Sequence, residues 1–227
     1  LDERRVNFSL YLISDRKLAA ASGGLLAVIE AALQAMVDMG QPGAIAVQLR
    51  EKDLPGREIY ELANALLPIC RRHSAPLLIN DRLDVAIAVS ADGVHLPSNG
   101  VPVAAARRLL GPSALIGVST HRADEIRAAA SGGADFAVFG PVFDPLSKPA
   151  YGVAGGAEGL GAACRAASIP VYALGGMSAE RIHRLRGTAA FDEGGRPAGA
   201  GVIGAVIGAN NPRAATRALL EALASWR

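Results

Sequence analysis

The residues best placed to do chemistry cluster in the stretch Val47-Gln48-Leu49-Arg50-Glu51-Lys52-Asp53. An apolar run from Ala44 to Val47, β-branched at Ile45 and Val47, follows the turn signal Pro42-Gly43 and breaks into polar and charged residues. Such a run reads as a buried strand, with the charges at its C-terminal end. Ligands of parallel α/β folds collect where strands end. Arg50 and Lys52 there suit phosphate, Arg through its planar fork and Lys as a compact point charge. A solvated loop opening the next helix has the same composition, so the test is whether other strands end alike.

They do. Pro76-Leu77-Leu78-Ile79 runs into Asn80-Asp81-Arg82, and Leu115-Ile116-Gly117-Val118 runs into Ser119-Thr120-His121. Asp81, facing Arg50 and Lys52 across a mouth, could hold a hydrated Mg2+ that bridges substrate phosphates. It could equally N-cap a helix from Leu83. A lone His such as His121 at a loop start is more often structural than catalytic. Gly175-Gly176 after one apolar run, and Gly204 to Gly208 after the next, are the best phosphate candidates, because small residues let an anion reach backbone N–H groups. Lys148, inside a long loop over residues 140–156, either reaches over the mouth as a lid cation or is one more surface lysine.

The elements that would position these residues alternate along the chain. Strands are expected at 9–14, 44–47, 76–79, 93–96, 115–118, 136–139, 170–174 and 201–203. Helical patterns fill 25–39, 57–73, 83–89, 103–110, 123–130, 158–167, 178–185 (with Ser178 as N-cap) and 212–226, with a short extra helix at 204–208. Pro68 is expected to kink or shorten the second of these, and 187–199 reads as a Gly-rich loop. Eight strands, each followed by helix and without a composition break, are the pattern of one (β/α)8 TIM barrel. A doubly wound sheet would need a GxGxxG after the first strand, which is absent. Ala91-Asp92-Gly93-Val94 and Ala134-Asp135-Phe136-Ala137 recur as fragments of repeated βα units.

Composition narrows the class. A hydrophobic share of 51% and a charged share of 19% supply a core and exclude disorder. A net charge of +2 gives no electrostatic case for nucleic acid. Cys70 and Cys164 lie in separate helical patterns without a CxxC, as packing residues of a reducing compartment. No stretch approaches the ~20 apolar residues of a membrane span. The expectation is a cytoplasmic chain with small phosphorylated molecules, not nucleic acid or membrane, as partners; a homo-oligomer stays open.

Taken in order, Gln48-Leu49-Arg50-Glu51-Lys52, Ile79-Asn80-Asp81-Arg82, Gly93-Val94-His95-Leu96, Gly117-Val118-Ser119-Thr120-His121, Gly140-Pro141-Val142-Phe143 with Lys148, and Gly175-Gly176-Met177 resemble the thiamine phosphate synthase family. The resemblance implies a transferase that joins hydroxymethylpyrimidine diphosphate to a thiazole phosphate and releases pyrophosphate. It implies that Gln48, Arg50, Lys52 and Asn80 hold the pyrimidine diphosphate and that Asp81 holds Mg2+. Ser119, Ser147 and Lys148 would contact the pyrimidine or diphosphate, with Lys52, Ser119 and Lys148 as the catalytic set. Gly176, Ile207 and Gly208 would cup the thiazole phosphate.

The chain departs from the family pattern at two places. The second Mg2+ carboxylate is replaced by Gly100, and the sixth loop reads Pro145-Leu146-Ser147-Lys148 where the family carries Thr-x-Thr-Lys. Leu96-Pro97-Ser98 resembles the sister thiazole tautomerases, which act on a related ring without diphosphate or metal. Pro141, however, stands where such tautomerases carry a His. A tautomerase-like isomerase and a non-catalytic barrel that binds thiamine-pathway phosphates are the other two readings.

Overall fold

The computed structural model describes residues 6–143, 155–192 and 194–226. Among them, short strands β1 (Leu10–Ile13), β2 (Ile45–Leu49), β3 (Leu77–Asn80), β4 (Gly93–Leu96), β5 (Leu115–Thr120), β6 (Phe136–Phe139), β7 (Val171–Ala173) and β8 (Gly199–Val202) pair in parallel, each with the next. β8 closes on β1, with Leu10 opposite Ala200 and Leu12 opposite Val202. The closed parallel barrel expected from the alternating pattern is present.

Around it run α1 (Arg16–Ala19), α2 (Leu25–Asp38), α3 (Gly56–Arg72), α4 (Leu83–Val89), α5 (Val103–Leu110), α6 (Ala123–Ser131), α7 (Gly156–Ala166), α8 (Ala179–Arg186), α9 (Gly204–Ile207) and α10 (Pro212–Ala224). Ser178 caps α8 by accepting the N–H of Arg181 at 3.3 Å. Pro68 neither ends nor shortens α3, which runs on to Arg72. Both cysteines are buried, and burial pushes each thiol up to about 12, as packing residues require. No single helix among the described residues is long and apolar enough to cross a membrane.

Three local features differ from the sequence expectation. α1 is an unexpected turn of helix, capped by Asp15, which accepts from the N–H groups of Lys17 and Leu18 at 3.1 Å. Within 187–199 a 3-10 turn, Ala189–Phe191, sets Phe191 edge-on to Trp226 at 5.8 Å. β8 starts at Gly199, two residues early, because the absent Cβ lets Ser9 O come within 2.1 Å of where it would stand.

Strand residues alternate between two cores, as the period of two dictates. Leu10, Leu12, Ile45, Val47, Leu77 and Ile79 pack outward under the helices. Phe8, Tyr11, Ala46, Leu78, Leu115, Phe136 and Tyr172 fill the barrel interior. There Phe8 stacks on Tyr172 at 4.8 Å, and Tyr11 meets Phe136 edge-on at 5.3 Å. Gly117 makes the room for this layer. A Cβ on it would lie 2.3 Å from the Phe136 ring and 2.8 Å from His95 Nδ1.

The recurring Ala-Asp fragments have a structural meaning. Asp92 precedes β4 and accepts the Leu77 N–H at 2.8 Å; Asp135 precedes β6 and accepts the Ile116 N–H at 2.7 Å. Each carboxylate pins its strand to the neighbour at the N-terminal rim, and Arg107 further holds Asp135 at 2.6 Å. Removing a carboxylate that satisfies a buried amide costs about 1–3 kcal/mol. Asp135→Ala should therefore lower the melting temperature by roughly 4–8 °C for about 2 kcal/mol, read by thermal unfolding, with activity at low temperature retained.

Candidate active site

The inward parity of the strands carries straight into the mouth. Gln48 continues the inward series of Ala46, Asn80 that of Leu78, and Ser119 that of Leu115 and Gly117. The register sets Asn80 opposite His95 and His95 opposite Gly117. Polar residues from β2, β3, β4 and β5 thus meet at the C-terminal ends of the strands.

Beneath the mouth lies a buried polar chain. Gln48 Nε2 donates to the Tyr11 hydroxyl at 3.1 Å, that hydroxyl is 3.3 Å from His95 Nδ1, and His95 Nε2 is 2.9 Å from Ser119 Oγ. Tyr11 is fully buried, Gln48 is 1% exposed and His95 3%. Burial pushes the Tyr11 phenol far above its usual range. Burial, and then the charge of Arg50, lowers His95 to about 3. Neither group carries charge, so the chain orients protons without storing them. With the Gln48 amide donating, the Tyr11 proton turns to His95 Nδ1 and the imidazole proton sits on Nε2, facing Ser119. The Ser119 hydroxyl accepts it and keeps its own proton for a group above.

The cations of the mouth sort into two sets. Arg16 pairs with Asp53 at 2.7 and 2.9 Å and with Glu51 at 3.3 Å, and Lys17 joins Asp53 at 2.8 Å. Arg16 first, then Lys17, holds the Asp53 carboxyl well below the usual carboxylate range. Arg82 is matched by Asp84 and Arg122 by Asp124. Arg50 and Lys52 have no carboxylate partner among the described residues. Glu51 between them turns inward. It accepts the Ser14 hydroxyl at 2.7 Å and the Arg16 N–H at 3.0 Å, while Ser14 Oγ accepts the Arg50 N–H at 2.8 Å. A buried carboxylate thus fixes the backbone that presents the two unmatched cations.

Asp81 does not cap α4. The N-cap position is Arg82, without a side-chain cap, and Asp81 takes a left-handed φ of 62° with its N–H on His95 O at 2.9 Å. Asp81 is exposed and its carboxylate makes no cap bond to the helix. Among the described residues no group of three or more His, Cys, Asp or Glu converges on a metal position. A single carboxylate fits a Mg2+ that keeps its waters and takes phosphate oxygens. At Gly100 a turn closes through its N–H on Pro97 O at 3.0 Å, and a Cβ would stand 2.9 Å from Pro97 Cδ. A side chain at this position would have to displace Pro97.

Ser147 and Lys148 lie outside the described residues, but the base of their loop is described. Gly155 and Gly156 donate to Pro141 O and Val142 O at 2.9 and 3.1 Å. In the next loop Gly176 has a φ of 61°, and its N–H donates to nothing among the described residues. In the last loop the backbone N–H groups are divided. The N–H groups of Ile207 and Gly208 are spent on Ile203 O and Gly204 O at 2.9 and 3.2 Å, and Ile207 is fully buried. The open amides there belong to Gly204 and Ala205. His121 is also engaged, with Nδ1 2.5 Å from Gly140 O.

Tyr11 and His95 escaped the sequence reading as site residues. The signal for them was a polar side chain at inward parity within an otherwise apolar strand, which strand ends alone do not reveal.

Because His95 is depressed from 6.5 to about 3, the folded state resists a proton that the unfolded chain accepts. Its contribution is fully present above pH 6.5 and is lost as pH falls from 6.5 toward about 3, with a slope of up to about 1.4 kcal/mol per pH unit. Urea unfolding at pH 7, 6 and 5 should show this slope in the wild type, and His95→Asn should flatten it.

A model of the family described as thiamine monophosphate synthase matches residues 10–192. A putative thiamine-phosphate synthase of Geobacter sulfurreducens is 47% identical over 219 residues, 96% of either chain. A thiamine-phosphate synthase of Roseiflexus castenholzii is 39% identical over 95% of this chain and 88% of its own. The solved thiamine phosphate pyrophosphorylase of Pyrococcus furiosus superposes with a TM-score of 0.80 at 32% identity, covering 97% of both chains. With the parallel barrel and the strand-end polar groups in the same chain, these matches show that it belongs to the thiamine monophosphate synthase family.

Proposed function

We propose that this chain joins hydroxymethylpyrimidine diphosphate to a thiazole phosphate, yielding thiamine phosphate and pyrophosphate. The observation that carries the reading is the division of the mouth. Unmatched Arg50 and Lys52 stand at the end of β2, and open amides of Gly176 and Gly204 stand after β7 and β8. One side suits a diphosphate and the other a single phosphate.

In this reading Arg50, Lys52 and Asn80 bind the diphosphate. Gln48, whose Nε2 is held by Tyr11, offers its amide oxygen to the pyrimidine amino group. The C–O bond to the diphosphate breaks, its electron pair leaves with pyrophosphate, and the thiazole nitrogen lone pair forms the new C–N bond. Cations stabilise a departing diphosphate more as its charge grows. Ser119, with its proton directed upward by His95, donates to the pyrimidine or diphosphate. Lys148 and Ser147 are assigned from the sequence to the same group. Asp81 would hold Mg2+, which supplies further positive charge to the diphosphate.

A specific observation weighs against the tautomerase reading. Moving a ring proton needs a group that titrates near neutral pH. Pro141, which stands where such tautomerases carry a His, has none, and His95 stays neutral down to about pH 3.

Lys52→Ala should lower synthase turnover about a hundredfold or more with unchanged circular dichroism, since Lys52 is exposed and outside the Arg16–Asp53 pairing. Mg2+ should bind the free protein weakly in calorimetry and far more tightly with the diphosphate present. Rapid shift of the thiazole double bond, without thiamine phosphate at saturating Mg2+, would overturn the synthase reading.

A further inference from the structure

Arg16, Arg82 and Arg122 each meet a carboxylate, whereas Arg181, like Arg50, follows a barrel strand without a carboxylate partner among the described residues. Its guanidinium is nevertheless held. Nη1 donates to Gly176 O at 2.6 Å, and Cζ stands 4.8 Å from the centroid of the Phe143 ring. Its backbone is fixed as well, with its N–H on Ser178 Oγ at 3.3 Å. The group lies directly over Gly176, where an added Cβ would come within 2.2 Å of Nη1. The vacancy at Gly176 therefore accommodates a cation.

We propose that Arg181 is an anion-binding arm of the cup after β7 and takes a phosphate monoester. A guanidinium carries five N–H donors, and the Gly176 carbonyl occupies one. The carbonyl and the aromatic face fix its plane, so little side-chain freedom is lost when a ligand arrives. The guanidinium is thus held against Gly176, whose N–H donates to nothing among the described residues. One guanidinium and a backbone amide match a single dianionic phosphate, while the diphosphate has Arg50 and Lys52 on the other side. That the monoester is the thiazole phosphate rests on the synthase reading.

Calorimetry on the wild type, Arg181→Met and Arg181→Lys, with thiazole phosphate, the dephosphorylated thiazole alcohol and inorganic phosphate, tests this. Arg181→Met should weaken both phosphate ligands about tenfold or more and leave the alcohol unchanged, with Arg181→Lys between. The KM for thiazole phosphate should rise in proportion, and the KM for pyrimidine diphosphate should not. Phe143→Leu should give a smaller loss of the same sign, which keeps the test decisive if Arg181→Met fails to fold. Equal weakening of phosphate and alcohol, or no change in either, would make Arg181 a brace between loops and overturn the proposal. Arg181-dependent binding of inorganic phosphate without binding of thiazole phosphate would uphold the anion arm and overturn the synthase reading.

Discussion

The Tyr11 hydroxyl is fully buried inside the barrel, so it must find its hydrogen bonds among its neighbours there. A buried hydroxyl left without hydrogen bonds costs several kcal/mol. Gln48 supplies one partner and His95 the other, and His95 in turn needs Ser119. Satisfying one phenol thus links β1, β2, β4 and β5. It also dictates which nitrogen of His95 carries the proton. The floor of the site follows from the packing of the core, with Phe136 edge-on to Tyr11 and Gly117 leaving space for both rings.

Charge is distributed by the same economy. At the strand ends, Asp84 neutralises Arg82 and Asp124 neutralises Arg122. Exposed pairs of this kind add little stability, but they remove competing positive charge from the rim. Among the described residues after the barrel strands, Arg50, Lys52 and Arg181 have no carboxylate partner. Glu51 is the exception that sharpens the rule. It sits among cations in the sequence, yet it is buried on Ser14 and Arg16 and supports the loop from below.

The barrel was legible because strands buried on both faces must be apolar throughout, and the breaks into Arg50, Asn80 and Ser119 then mark the mouth. Residues 16–19 were not read as a helix, since one turn is too short for a period to show and it is held by the Asp15 cap and by Glu51 and Asp53 from the next loop. Asp81 could not be divided between cap and ligand from its neighbours, because the answer lies in its left-handed backbone and the bond to His95 O. The early start of β8 and the backbone bonds of Ile207 and Gly208 were hidden for one reason. In a run of Gly and Ala, side-chain pattern says nothing about which amides the backbone consumes. Tyr11 and His95 were hidden inside apolar strands for the opposite reason: their surroundings look like core, and they are core.

The paired backbone at the base of the sixth loop closes that loop on itself. Gly155 and Gly156 bond back to Pro141 and Val142, so the chain leaves and re-enters the barrel through one closed doorway. The β6–β7 register, with Phe139 opposite Ala173, is set in the strands that this doorway joins. Both bonds at the doorway run from backbone to backbone, so no side chain between the posts is needed to hold the ends of the loop together.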